Sequence, residues 1–281
     1  MIKINFSERY PVHPEDFKKY TTNDIRREFL INKIFGKDEI NMVYSSYDRY
    51  IVGGIMPVNE DILLKTIEPL KSEFFLKRRE LGIINIGGKG VIEADGINTE
   101  IDNKEALYIG MGVKRVILSS IDKKKPARFY FNSAPAHKEY PLKHVSKKEA
   151  NIIEMGSLET SNARTINQLI INGIVDTCQL QMGLTELKIG SIWNTMPAHS
   201  HSRRMEAYFY FDMPGDQAVC HFMGQADETR HIWMANEQAV LSPAWSIHSG
   251  AGTCSYSFIW GMAGENLDYN DMDKYEIREL K

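Results

Sequence analysis

The sequence predicts a mainly β protein, built as two β-barrel or sandwich domains with a short N-terminal helix. Three observations carry that expectation. Beyond about residue 40, short runs rich in Val, Ile, Tyr and Phe alternate with turn signals. The 281 residues amount to about two domains of typical size. A polar stretch carrying Pro135 and Pro141 separates two β series of similar extent.

In chain order, the helix comes first. Thr22-Asn23-Asp24 precedes Ile25 to Phe35, whose apolar positions Ile25, Phe29 and Ile34 fall roughly on one helical face, with Gly36 as the stop. A meander follows, with strands at Leu81–Ile86, Val91–Ala94 and Ile97–Ile101. Its turns are Gly87-Gly88 and Asp95-Gly96, pairs that tolerate positive φ in hairpins. Gly53-Gly54 also reads as a turn. Further strands are expected at Ala106–Ile109, Val113–Leu118 and Ala127–Phe131. The domain connection falls between about residues 133 and 160, dividing the chain into 1–140 and 141–281. The second series comprises Cys178–Leu184, Glu206–Met213, Ala218–Met223, Arg230–Met234, Ala239–Leu241 and Tyr256–Met262. After Gly264 the acidic tail is expected to pack as a short helix or an extended arm.

Composition excludes several function classes. A net charge of −3 offers no basic excess for a phosphate backbone, so nucleic acid is not an expected partner. No apolar run approaches the roughly 20 residues of a spanning helix, and the N-terminus has no signal-peptide segment. Three cysteines without CxxC spacing argue against a disulfide framework or a zinc–thiolate site, and a reducing cytoplasm is the expected compartment.

The chemistry concentrates in Met196-Pro197-Ala198-His199-Ser200-His201-Ser202-Arg203-Arg204-Met205-Glu206. Residues two apart in a strand point the same way, so His199 and His201 can aim two imidazoles at one point. Glu206 opens the next strand, with Tyr208 and Tyr210 on its side. Two imidazoles and a carboxylate suit a borderline divalent metal. Leu241-Ser242-Pro243-Ala244-Trp245-Ser246-Ile247-His248 supplies a fourth ligand, His248, on a late strand. A His-x-His pair alone is weak and is more often solvated. With Glu206, Pro243 and His248 added, it becomes the pattern of the cupin superfamily.

The remaining histidines take ordinary readings: His221 and His231 as packing or shell residues, and His13, His137 and His144 as surface residues. Arg203, Arg204 and Arg164 are candidates to clamp a substrate carboxylate with a bidentate fork, against the competing reading of solvated or ion-paired arginines. Gln179, Gln181, Tyr208, Tyr210 and His221 are candidates for the surroundings of the metal, and no catalytic base is identified. The first β region has no comparable His-x-His and Glu set and is expected to serve stability and assembly without a metal.

Longer motifs then mark a resemblance. They include Asp48-Arg49-Tyr50-Ile51-Val52-Gly53-Gly54-Ile55-Met56-Pro57, Thr177-Cys178-Gln179-Leu180, Trp193-Asn194-Thr195-Met196-Pro197, Arg203-Arg204-Met205-Glu206, Asn236-Glu237-Gln238-Ala239-Val240 and Trp245-Ser246-Ile247-His248-Ser249-Gly250. Along essentially its whole length the chain resembles the 5-keto-4-deoxyuronate isomerase family, whose fold is similar to the cupins. The resemblance implies one zinc ion per chain on His199, His201, Glu206 and His248, a homo-oligomer of the hexameric kind, and a role in pectin-derived uronate breakdown. The implied reaction is an aldose–ketose isomerisation that interconverts 5-dehydro-4-deoxy-D-glucuronate and 3-deoxy-D-glycero-2,5-hexodiulosonate. An iron-dependent cupin oxygenase would use the same ligands, and a non-catalytic sugar-binding cupin is a third reading.

Overall fold

The computed structural model describes residues 2–281. The chain is mainly β and its contacts divide it into two compact units. The first comprises the N-terminal residues through Glu8, Lys33–Asn151 and Leu169–Met182. The second comprises Arg9–Asn32, Ile152–Gln168 and Gly183–Lys281. This division is not the single cut expected near residue 140. The helical segment belongs with the later half of the chain, and residues 169–182 belong with the earlier half. No helix is long and apolar enough to cross a membrane.

The first pair of sheets has seven and four strands. The larger runs in the order Lys3–Arg9, Glu39–Ser45, Ile51–Ile55, Phe129–Pro135, Arg79–Asn85, Ala106–Ile109 and Lys143–Val145. The smaller runs Ile62–Leu63, Val116–Ser120, Gly90–Ala94 and Ile97–Ile101. Side chains alternate across a strand, so each sheet gives one face to a shared core. Ile51, Leu81, Ile83, Phe129 and Phe131 from the larger sheet meet Ile92, Ile101, Val116 and Leu118 from the smaller.

The second pair again has seven and four strands. The larger runs Asn151–Met155, Arg164–Ile170, Gln181–Leu187, Ser257–Gly264, Arg204–Phe211, Gln238–Ser242 and Leu30–Ile31. The smaller runs Trp193–Asn194, Ser249–Gly252, Val219–Gln225 and Glu228–Met234. A further two-stranded ladder joins His199–Ser200 to Asp273–Lys274.

Several local expectations are corrected. The main helix stops at Phe29 rather than continuing to Phe35, because Leu30 and Ile31 instead pair with Val240 and Ala239 at a sheet edge. Its start is a capping box: Thr21 accepts from the Asp24 backbone, and the Asp24 carboxylate accepts from the Thr21 N–H. Asp95-Gly96 is the expected two-residue hairpin turn, with both φ values positive and Ala94 paired to Ile97. Gly87-Gly88 is not a hairpin. It carries the chain from one sheet to the other, and a Cβ on Gly88 would sit 1.9 Å from the Lys125 carbonyl oxygen. Gly53-Gly54 lies inside the strand Ile51–Ile55, with the Phe131 ring 2.3 Å from where a Gly53 Cβ would be. The connection between residues 133 and 160 contains the short strands Lys143–Val145 and Asn151–Met155.

The N-terminal helices serve the second unit. Phe17 packs against Phe29 and Trp245, with ring centroids 5.5 and 5.1 Å apart. Trp245 stands in the Pro243–His248 turn. That turn is also tied to the sheet by Gly224 N–H donating to Ser246 Oγ (2.9 Å) and by Ile247 N–H donating to Gly224 O (2.9 Å).

Candidate metal centre

Three backbone devices bring four donors together. His199 is fixed opposite Lys274 in the short ladder, and His201 follows one residue beyond it. Glu206 sits in the strand Arg204–Phe211, held between Ser242 and Met262 on the flanking strands. His248 ends the Trp245 turn, just before the strand Ser249–Gly252 rather than on it. The imidazoles of His199, His201 and His248 and the Glu206 carboxylate each offer one ligand atom, all within 4.8 Å of one another. His201, Glu206 and His248 are buried and His199 is half-buried. The Glu206 carboxylate lies 3.0 Å from His201 Nε2 and 2.8 Å from His248 Nε2. His248 Nε2 is 3.0 Å from His199 Nε2.

Proton accounting shows that this cluster fits a cation. His201 Nδ1 lies 2.7 Å from the Asp271 carbonyl oxygen. A carbonyl can only accept, so Nδ1 carries the hydrogen. In the neutral imidazole, Nε2 then presents a lone pair toward the carboxylate. Two acceptors at that distance need positive charge between them, which is the environment a bound metal ion fits. The donor set of three imidazoles and one carboxylate is a common zinc shell and also suits iron.

The electrostatics agree. Burial, reinforced by the neighbouring His248, drives the His199 imidazole down to about 2, so it stays neutral and its lone pair remains available. Burial alone would raise the Glu206 carboxyl, but the close His248 and His201 imidazoles outweigh it and hold Glu206 well below the usual carboxylate range.

The cluster forms part of the wall of a cavity of about 390 Å³. The three candidate arginines part company here. Arg164 lines this cavity, with Nη1 donating to the Asn162 carbonyl at 2.8 Å and burial lowering its pKa from the usual range. Arg203 is outside it, in a half-exposed ion pair with Glu265 at 3.4 Å. Arg204 is almost fully buried and does not line the cavity. Its Nη2 donates to the carbonyls of Tyr269 (3.1 Å) and Asp271 (3.0 Å). Burial lowers its pKa too.

Other candidates also separate. Tyr208 lines the cavity and hydrogen-bonds Thr195 Oγ1 at 2.9 Å, and burial raises its hydroxyl well above the usual range. Tyr210 instead meets His221 Nδ1 at 2.8 Å, and burial holds His221 down at about 3. Gln179 and Gln181 do not line the cavity, and Gln179 donates to the Pro135 carbonyl. His231 is exposed on an outward strand face rather than packed. His13 caps the first helical turn by accepting from Glu15 N–H.

Sequence reasoning missed the C-terminal arm. Tyr269, Asn270, Met272, Lys274, Tyr275 and Glu276 all line the cavity. The sequence signal was weak: two tyrosines and a few scattered apolar residues in a mostly polar tail without periodicity. The arm is extended, as one of the two expectations held, and ends in a single short turn at Ile277–Glu279.

The profile of the KduI/IolB family matches residues 32–277, well over half of the chain. The chain belongs to the KduI/IolB family. Among relatives, it is 62% identical to the 4-deoxy-L-threo-5-hexosulose-uronate ketol-isomerase of Formosa agariphila over 100% of both chains. It is 59% identical to that of Bacteroides fragilis, again over 100% of both. Identity to the Lachnoclostridium phytofermentans protein of the same name is 53%, over 97% of this chain and 99% of the relative. Among solved structures, an IolB-like protein from Salmonella typhimurium aligns with a TM-score of 0.67 at 15% identity, covering 80% of this chain and 86% of that one. An oxalate decarboxylase from Lactobacillus farciminis aligns with a TM-score of 0.56 at 9% identity, covering 80% and 79%. At such identities these two likenesses show the fold alone.

Proposed function

We propose that this KduI/IolB-family protein is a zinc-dependent 4-deoxy-L-threo-5-hexosulose-uronate ketol-isomerase acting in uronate and pectin breakdown. The observation that carries this reading is a cavity of about 390 Å³ that has four converging metal donors on its wall and Arg164 lining it. The reading is supported by 53–62% identity, over nearly the full chain, to relatives bearing that name.

His199, His201, Glu206 and His248 would hold the ion. A bound zinc supplies Lewis-acid polarisation of a carbonyl without redox chemistry. The chain does the rest. The substrate is anionic, and Arg164 offers its carboxylate a planar fork that stays charged at any working pH. Apolar walls, including Met155, Phe258, Trp260 and Met272, exclude water and strengthen these charge interactions. Isomerisation moves a proton between neighbouring carbons and leaves negative charge on oxygen in between. The Tyr208 hydroxyl keeps its hydrogen under all working conditions, so it is suited to donate to that oxygen and not to act as the carbon base. A homo-hexamer working in the cytoplasm completes this reading and is checked by analytical ultracentrifugation and cell fractionation.

The test is incubation of purified protein with the keto-aldehyde derived from unsaturated uronate, followed by NMR in deuterated water. Conversion to the ketose is expected, with deuterium at the receiving carbon if a proton is exchanged. A protein that binds zinc yet gives no conversion contradicts the assignment. Oxygen consumption with bound iron would favour the oxygenase reading instead.

A further inference from the structure

We propose that Arg204 is a positioning residue for the metal centre: it clamps the chain at 269–271 so that the Asp271 carbonyl sets the ring orientation and tautomer of His201. The inference rests on reading the four donors as a metal site, and it gives a role to a residue that spacing alone cast as a substrate clamp.

The geometry is specific. Arg204 is 1% exposed, so its guanidinium is out of reach of an anionic substrate in solvent. One nitrogen, Nη2, donates to two carbonyls of the same short segment, Tyr269 O and Asp271 O, at 3.1 and 3.0 Å. The second of those oxygens also accepts from His201 Nδ1 at 2.7 Å. Arg204 Nη2 and His201 Nδ1 approach within 3.4 Å because both donate to this one oxygen. A carbonyl has two lone pairs, and here each has a donor.

The consequence reaches the metal. With hydrogen fixed on Nδ1, the Nε2 lone pair of His201 points at the cluster, 3.0 Å from the Glu206 carboxylate. A ring free to flip or to change tautomer would present Nε2–H instead and lose a ligand. The segment that supplies the carbonyl has no regular secondary structure of its own. It is held on one side by Arg204 and on the other by the ladder of Asp273–Lys274 with His199–Ser200. A buried cation that serves two carbonyls in a loop, in place of a carboxylate, costs desolvation and is poor value as a stability device alone. Its placement makes sense as a device for holding the acceptor that a metal-ligating histidine needs.

The test compares wild type, Arg204→Met and Arg204→Lys by zinc competition against a chromophoric chelator and by visible spectra of the cobalt(II)-loaded proteins. Met matches the apolar volume and donates nothing, whereas Lys restores a donor without the fork. Arg204→Met is expected to bind zinc about 10- to 100-fold more weakly, with a changed cobalt spectrum, and Arg204→Lys to fall between. A folded Arg204→Met protein with wild-type zinc affinity and an unchanged cobalt spectrum overturns the proposal. If both variants fail to fold, nitrogen-15 imidazole spectra of the metal-free wild type decide. His201 as the Nδ1–H tautomer supports the proposal, and Nε2–H overturns it. Wild type that binds no zinc at all sinks the metal reading itself, a failure distinguishable from that of the Arg204 role.

Discussion

Two buried glutamates, one in each unit, show what separates a structural carboxylate from a chemical one. Glu80 is 0% exposed and has four donors: the backbone N–H groups of Cys178, Gln179 and Leu180, and the Tyr108 hydroxyl, each at 2.8 Å. Its lone pairs are spent on holding the loop 178–180. Glu206 is similarly buried at 4% exposed, but its partners are the imidazoles of His201 and His248. The proton on His201 Nδ1 already belongs to the Asp271 carbonyl. Glu206 is therefore left facing the Nε2 lone pair of His201. Both units have the same pair of sheets, seven strands and four. Chemistry depends on whether the donors around a buried charge satisfy it from the protein or leave room for a cation.

The largest effects should come from breaking the open carboxylate. Glu206→Gln and His248→Ala are each expected to abolish stoichiometric zinc binding and isomerisation together, measured by elemental analysis and NMR turnover on the same samples. Removing the carboxylate charge or an imidazole donor from a metal shell takes away affinity that neighbouring ligands cannot replace. The closed carboxylate should fail differently. Glu80→Gln places an NH₂ against a donor that a carboxylate oxygen had accepted, at a cost of about 1.5–3 kcal/mol in denaturant unfolding. Its zinc content should be that of wild type. Loss of zinc in Glu80→Gln without loss of fold would break the comparison.

A smaller contrast lies among the arginines. Arg164→Met should keep its zinc and raise KM, with kcat/KM falling by an amount equivalent to about 2–5 kcal/mol if the substrate carboxylate is desolvated against it. Arg203→Met should change kcat/KM by no more than about twofold, because exposed ion pairs contribute little. Equal effects at both positions would mean that cavity lining does not select the clamp.

The smallest effect is a slope with pH. Burial lowers His199 to about 2 and His221 to about 3 in the folded protein, against about 6.5 for an unperturbed histidine. The unfolded chain therefore binds more protons as pH falls. The stability contributed by both groups is fully present above about pH 6.5 and is lost progressively toward their folded values. Denaturant midpoints of the metal-free protein should fall from about pH 7 to about pH 5, and His221→Gln should make that fall shallower. A flat profile over this range would show that neither ring is held neutral.

Much of the candidate site was legible in the sequence because its donor residues are close together in the chain or are flagged by turn chemistry. His199, His201 and Glu206 lie within eight residues, and Pro243 marks the turn that delivers His248. The Asp95-Gly96 hairpin was legible for the same local reason. What was hidden depends on long-range pairing. Leu30 and Ile31 read as helix until the strand Gln238–Ser242, distant in sequence, claims them as its edge partner. Gly87-Gly88 read as a flexible turn, although its glycines are needed for close approach to residues 125–128. The cavity role of the arm from Tyr269 to Glu276 was hidden most deeply. That arm has no periodicity, and it is tied down by a short ladder and by the Asp271 carbonyl that Arg204 and His201 share. Arg203 and Arg204 are adjacent in sequence with opposite fates, one exposed and one buried, because Arg203 lies in the turn before the strand and Arg204 is the first residue of a strand buried on both faces.

The most direct test of the central claim is the metal content of three proteins purified side by side with equal zinc supply: wild type, Glu206→Gln and Glu80→Gln. The account predicts one zinc per chain in wild type and in Glu80→Gln, and none in Glu206→Gln, with all three folded. A full zinc complement in folded Glu206→Gln would contradict it.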